Sequence, residues 1–309
     1  MISRSLPLVR RLAAILALCG AVPALAQRGE PRTPRADSVA QASKFDLDGD
    51  YPHARAIFQG LIDDAPDPAA KAQAQRQLAI SYAFTSECVS AANLENKVIQ
   101  YWMTQERADP QNAFYQEGEV SNESARICFD AGDYEAAEKY YRRGSELGLK
   151  EPEPKTHPAS LWDFRLTHAL ARINVRRKNF EEAWKLVDSA RKILDRNKAM
   201  AAQQERFYPY LFGYVGLYEQ RESFPERVKY HVDVERYLRD ATEAKGNEND
   251  PYFHWLLAEY YWVDTNRVIF ECHKALDRAT AHNPPSAFVH AHAKECLNPD
   301  LIRQRPFRR

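Results

Sequence analysis

At 309 residues the chain is long enough to bury one extended domain or two compact ones. Basic and acidic residues balance at 43 each. That balance gives no basis for broad nucleic-acid binding, which needs a concentrated positive surface.

The first 26 residues read as a secretory signal. Arg4, Arg10 and Arg11 give a positive start, and Leu12 to Val22 is an apolar run too short to span a bilayer comfortably. Ala24-Leu25-Ala26 supplies the small-x-small pattern of a signal-peptidase site, so cleavage is expected before Gln27. The protein is therefore expected to be exported, periplasmic or secreted, with no transmembrane segment in the mature chain. An N-terminal anchor is the competing reading, but no stop-transfer pattern follows Ala26. Cys19 follows the bulky Leu18, which argues against a lipoprotein signal. Removing the signal leaves 40 basic against 43 acidic residues, a formal charge of −3.

Residues 27–37 hold two prolines and a glycine among charges and are expected to form a flexible leader. From Ser38 the apolar period becomes helical, with Val39, Ala42 and Phe45 on one face. After Asp48-Gly49-Asp50-Tyr51, a second face carries Ala54, Ile57, Phe58, Leu61 and Ile62, and stops before Pro66 and Pro68. Gln75 to Phe84 is a third helix. A break around Ser86-Glu87-Cys88 leads to a fourth, which ends at Ala108-Asp109-Pro110.

The best-formed unit runs from Asn122 to Leu147, two amphipathic patterns joined by Ala131-Gly132-Asp133-Tyr134. Leu161 to Arg177 and the segment after Phe180 repeat it. Phe207 to Gln220 is strongly aromatic, with a turn expected at Ser223-Phe224-Pro225 before Val228, His231, Val234 and Leu238. Gly246 to Asp250 is a polar loop. Pro251 to Trp262, the segment after Asp264-Thr265-Asn266, and a capping helix over Ala287 to Leu297 complete the pattern. Residues 299–309 form a basic tail. No alternating run is long enough for a convincing strand, so the class is all-α.

The aromatics at the turns, Tyr51, Tyr134, Phe180 and Phe224, lie 83, 46 and 44 residues apart. Half of the first interval places a further turn near the break at Ser86 to Ser90, and another step beyond Phe224 reaches Asp264-Thr265-Asn266. A helical hairpin recurring about every forty residues is the signature of an α-solenoid, here of about five or six hairpins. The repeat domain is expected over 38–245, with 250–298 continuing it as a hairpin and capping helix.

On these residues the chain resembles the tetratricopeptide repeat family. ARICFDAGDYEAAEKYYRRG, beginning at Ala125, is close to its pattern, with Ala125, Ala137 and Gly144 at its small positions and Tyr141 at its aromatic. Ala42, Gly49, Tyr51, Ala54, Phe58 and Pro66 match in the first unit, and Ala171, Phe180, Ala183 and Ala190 in a later one. The spacing exceeds the family's usual period of about 34 residues. The resemblance implies a concave face built from the first helix of each hairpin, binding extended peptides. Aligned from Ala125 and Ala171, the inward positions hold Asn122, Arg126, Arg165, His168 and Arg172, a set suited to a carboxylate. The family's full carboxylate clamp is not present, and a solvated charged face is the competing explanation.

The mature chain keeps Cys88, Cys128, Cys272 and Cys296. An even number in an exported protein favours disulfides. Three connectivities are possible. Cys88–Cys128 with Cys272–Cys296 is preferred, because each pair would join adjacent hairpins.

Other constellations carry little chemistry. Asp46-Leu47-Asp48-Gly49-Asp50 opens like a calcium loop, but the sixth and twelfth positions are Tyr51 and Ile57 instead of glycine and glutamate. His273, His282, His290 and His292 do not form a closed zinc spacing with Cys272 or Cys296. No nucleophile elbow, zincin or phosphate-loop pattern occurs. No catalytic residue, metal or cofactor is therefore assigned. The aromatics of 207–218 occupy consecutive positions and cannot all face one side of a helix. Tyr208 and Phe212 are taken from them as candidate partner contacts. The expected function is an exported protein-binding scaffold for a peptide or protein, without nucleic acid. The alternative is an exported enzyme or the helical accessory domain of an envelope assembly or transport complex.

Overall fold

The computed structural model describes residues 34–223, 232–262 and 264–304. The signal segment, the start of the leader, the turn expected at Phe224-Pro225 and the tail 305–309 lie outside the described residues. Those described form an all-helical chain without a strand. The helices are α1 (Pro34–Asp48), α2 (Tyr51–Asp63), α3 (Pro68–Ala83), α4 (Cys88–Met103) and α5 (Pro110–Asp130). Then come α6 (Tyr134–Gly148), α7 (Ala159–Arg176), α8 (Phe180–Arg196), α9 (Lys198–Gln204) and α10 (Tyr208–Glu222). The series ends with α11 (Val234–Glu243), α12 (Pro251–Tyr260), α13 (Thr265–Ala281), α14 (Ala287–Cys296) and α15 (Pro299–Gln304). They pack in consecutive pairs: α1 on α2, α3 on α4, α5 on α6, α7 on α8, α10 on α11 and α12 on α13.

One turn design makes the hairpins. Gly49, Ser86, Gly132 and Lys178 each stand two residues before the second helix of a pair, and each has a positive φ, between 58° and 90°. The next residue's N–H then returns to a carbonyl five positions back, as in Asp50 to Phe45, Glu87 to Tyr82, Asp133 to Cys128 and Asn179 to Asn174. This closes the end of the first helix. In three of the four, the same residue's side chain caps the start of the second: Asp50 accepts from His53 N, Asp133 from Ala136 N and Asn179 from Glu182 N. Each such cap contributes about 1 kcal/mol. Ser86 thus supplies the turn that the repeat spacing requires near the break at Ser86 to Ser90.

Two prolines read as breakers, Pro68 and Pro110, are helix starts, as Pro251 was expected to be. Pro68, Pro110 and Pro251 each follow an aspartate that caps the new helix. Proline suits the first turn, where its missing N–H would have no partner. Helices α3 and α5 consequently begin earlier than expected. Helix α1 also begins early, at Pro34, so the last four residues of the expected leader are helical. Arg35 anchors that start by donating to the Leu61 and Ala70 carbonyls, at 3.0 and 2.8 Å.

Small residues set the helix separations. Ala42, Ala54, Ala125, Ala137, Ala171, Ala183 and Ala190 are fully buried between helices. Trp162 of α7 fills a slot over Gly118 and Gly148, where an added Cβ would come within 2.5 and 2.0 Å of its ring.

The chain of hairpins closes on itself. Helix α14 packs against α3, with Ala287 meeting Ile80 and Phe84. His290 stands edge-on to Phe84 at 6.0 Å, and Lys294 reaches the Leu47 carbonyl at 3.4 Å. Of the three possible cysteine pairings, the structure holds Cys88–Cys128, joining α4 to α5, and Cys272–Cys296, joining α13 to α14. They close loops of 40 and 24 residues. Chain-entropy arguments assign these about 4 and about 3.5 kcal/mol of stability. Replacing either pair by alanine should lower the urea midpoint accordingly, and mass mapping without reductant should find all four thiols oxidised. Alkylation of the native protein at any of the four would contradict the pairing.

Candidate functional site

The first helices of the pairs turn one face toward the enclosed interior. On α5 that face carries Asn122, Arg126 and Asp130, spaced four apart. On α7 it carries Arg165, His168, Arg172 and Arg176, and on α10 Tyr210, Tyr214 and Tyr218. These are the spacings of one helical stripe.

Two cavities lie along this interior. The larger, about 360 Å³, is bounded by α5, α7 and the segment around Arg206. The smaller, about 150 Å³, lies among α3, α5, the start of α12 and the loop before α14. Arg76, Glu123 and Arg126 border both. Asn122, Arg126, Arg165, His168 and Arg172, the five polar residues singled out from the sequence, all line the larger cavity.

Tyr208 and Phe212 do not. They lie on the opposite side of α10. Tyr208 lies under the guanidinium of Arg191 at 5.1 Å, and Phe212 packs on Trp184 and Tyr237 at 5.0 and 4.5 Å. Helix α10 is buried on two sides, so its consecutive aromatics build two separate walls. The ones facing the interior are Tyr210, Tyr214 and Tyr218.

The arginines are not equivalent. Arg165 is paired with Glu119, and Arg76 with Glu123, whose carboxylate accepts from the Arg76 Nε at 2.7 Å. Arg206 donates to the Gly246 carbonyl. Arg126 and Arg172 make no ion pair among the described residues. Arg172 instead sits against aromatic faces, 4.4 Å from the Phe129 ring and 5.5 and 5.8 Å from Tyr214 and Tyr210. Cation–π contact of this kind holds a guanidinium without neutralising it. Arg126 stays exposed at the cavity edge, whereas Arg172 is half-buried; burial disfavours the charge of Arg172, but the surrounding tyrosine and carboxylate groups outweigh it and raise its pKa above the ordinary arginine value.

The neighbours respond to the same enclosure. Burial, then the charge of Arg172, pushes the His168 pKa down to about 3. Its ring stacks on Tyr210 at 5.8 Å, and its Nε2 has no protein partner. A neutral imidazole there can donate or accept. Burial pushes Tyr210 up to about 12, so it keeps its hydroxyl proton. Asp130 accepts a hydrogen bond from the Tyr252 hydroxyl at 2.5 Å, and burial raises its pKa despite that bond and the nearby arginines.

The residues missed from sequence are Arg76, Glu119, Glu123, Gln204 and Arg206. Glu119 and Glu123 lie on the stripe of Asn122 and Arg126 and were within reach of helical spacing. Arg76 and Arg206 come from other hairpins, and only the closed arrangement brings them in.

Among the described residues, no group of three or more His, Cys, Asp or Glu side chains could hold a metal ion. No described helix is long and apolar enough to cross a membrane. No family model matches the chain, and no curated protein matches it.

The depressed His168 pKa has a consequence for stability. The unfolded ring takes up a proton near pH 6.5, and the folded ring only near pH 3. Unfolding therefore binds a proton across that window, and stability falls as pH drops through it, by up to about 1.4 kcal/mol per unit. His168→Gln should flatten the acid limb of a Tm-against-pH curve between pH 6 and 4. A histidine resonance titrating near 6.5 and assigned to His168 would contradict the buried, neutral ring.

Proposed function

We propose that this chain is an exported protein-binding scaffold. It recognises a narrow segment of a peptide or protein partner inside the ring of helices, and the segment carries an anionic group. The observation that carries this reading is the convergence of Asn122, Arg126, Arg165, His168 and Arg172 on one cavity, with Arg126 and Arg172 free of ion pairs among the described residues. Guanidinium forks bind carboxylates through paired, charge-assisted hydrogen bonds. Asn122 and neutral His168 add uncharged polar contacts beside them. The aromatic walls contribute apolar surface, as binding cavities of about 300–1,000 Å³ commonly do.

Closure restricts the partner. The α14–α3 contact closes one side of the interior, which favours a loop or chain end over a broad folded surface in a cavity of about 360 Å³. The resemblance to tetratricopeptide repeats supports the same class of function, as does the organisation into helical pairs. Export rests on the signal-like N-terminus and is consistent with two disulfides.

Calorimetric titration of the mature protein with short acidic peptides and their lysine-substituted counterparts tests the reading. Acidic peptides should bind, and binding should weaken with salt. Arg126→Ala and Arg172→Ala should each lower affinity about 10- to 100-fold, the loss of a charged hydrogen bond. Equal binding of acidic and basic peptides, or variants that bind as the parent does, would overturn the proposal.

A further inference from the structure

A third, much smaller chamber opens beside Arg172, between α7 and α10. Its volume is about 20 Å³, room for one particle the size of a water molecule. Phe129, Trp255 and Phe288 wall it from three other helices. Three hydrogen-bond donors that border it have no protein partner: Arg172 Nε, Arg176 Nε and the Tyr214 hydroxyl. Tyr214 is only 4% exposed. Arg176 is held in place over the Tyr218 ring, 4.8 Å from its centre.

Two carboxylates also border the chamber, and both are engaged. Asp130 accepts from the Tyr252 hydroxyl, and Glu259 from the Tyr218 hydroxyl. The chamber thus collects two charged N–H groups and one O–H with no protein acceptor for them. Buried donors without an acceptor are costly, charged ones most of all. Aromatic rings also present positive edges, which favour an anion.

We propose that this chamber binds a single monatomic anion of the halide class, such as chloride, held by Arg172 Nε–H, Arg176 Nε–H and the Tyr214 hydroxyl. A water can accept from the two Nε–H groups and donate to the Tyr214 oxygen but brings no charge, whereas a halide accepts from all three donors and also opposes two guanidinium charges. Phosphate and sulfate are too large for about 20 Å³. The bound anion ties α7 to α10 and fixes the Nε edge of Arg172, leaving its terminal amino groups for the larger cavity. This site stands independently of the peptide-binding reading.

Bromide is the probe, because it scatters anomalously. Crystals of the mature protein soaked in sodium bromide should show an anomalous peak bounded by Arg172, Arg176 and Tyr214. Thermal melts at matched ionic strength should give a saturable rise in Tm of about 2 °C or more in sodium chloride or bromide over sodium gluconate. Tyr214→Phe removes one donor and keeps the ring, and should shift the halide dependence to about tenfold higher concentration. Superimposable melts in chloride and gluconate would overturn the proposal, as would a water in the chamber of bromide-soaked crystals. Both readings use the parent protein and stand even where the variant does not fold.

Discussion

The contact of α14 with α3 determines what the rest of the interior is. It brings Lys294 to the Leu47 carbonyl, 247 positions away, and seats Ala287 between Ile80 and Phe84. Without it the inner helices would line an open groove, and their arginines would be ordinary solvated charges. With it the same stripe is walled by Tyr252 and Phe288, and the local dielectric falls. Enclosure by the helices sets the electrostatic responses of this interior. His168 is driven neutral, Tyr210 is pushed up to about 12, and Asp130 is raised although two arginines stand near it. The Cys272–Cys296 disulfide joins α14 to α13 at this closing end, so covalent and packing constraints act on the same helix.

Much of the hairpin architecture was legible because its determinants are local. A left-handed residue followed by Asp or Asn writes the same turn at Gly49, Gly132 and Lys178, and spacing alone pointed to its fourth copy at Ser86. The polar stripe was equally local: Asn122 and Arg126 on one helix, and Arg165, His168 and Arg172 on another, share a face by helical period. The structure places all five on one cavity. Sequence spacing favours one cysteine pairing without excluding the other two, since only the three-dimensional order of the helices separates the three connectivities.

What was not legible depends on contacts between distant residues. Tyr208 and Phe212 differ from Tyr210 and Tyr214 by two positions, which on a helix is a change of side. Composition marks all four as aromatic, and only the packing of α8 and α11 says which side is core. The Asp-Pro starts of α3 and α5 were misread for a different reason. Proline disfavours helix in the residue before it and suits the first turn after it, so one dipeptide marks both a stop and a start. The aspartate decides between them, because its side chain caps the new helix.

The balance of charge inside the ring explains why recognition is concentrated at Arg126 and Arg172. Glu119 and Glu123 are each committed to an arginine at the periphery of the cavity, Arg165 and Arg76. Glu95 lies behind Glu123 with no exposed surface. Burial, then the charge of Glu123, pushes its pKa well above the usual carboxylate range, which favours the neutral acid. It therefore cancels little of the positive field. Asp130 and Asp250 are the remaining carboxylates beside the two arginines; Asp130 accepts from the Tyr252 hydroxyl and Asp250 from the Tyr252 N–H, and burial raises both. Ion pairing at the edges and protonation within thus leave two guanidinium groups uncompensated where the inner helices converge. An anion arriving there gains from both charges, most from half-buried Arg172, and displaces no internal carboxylate from either of them.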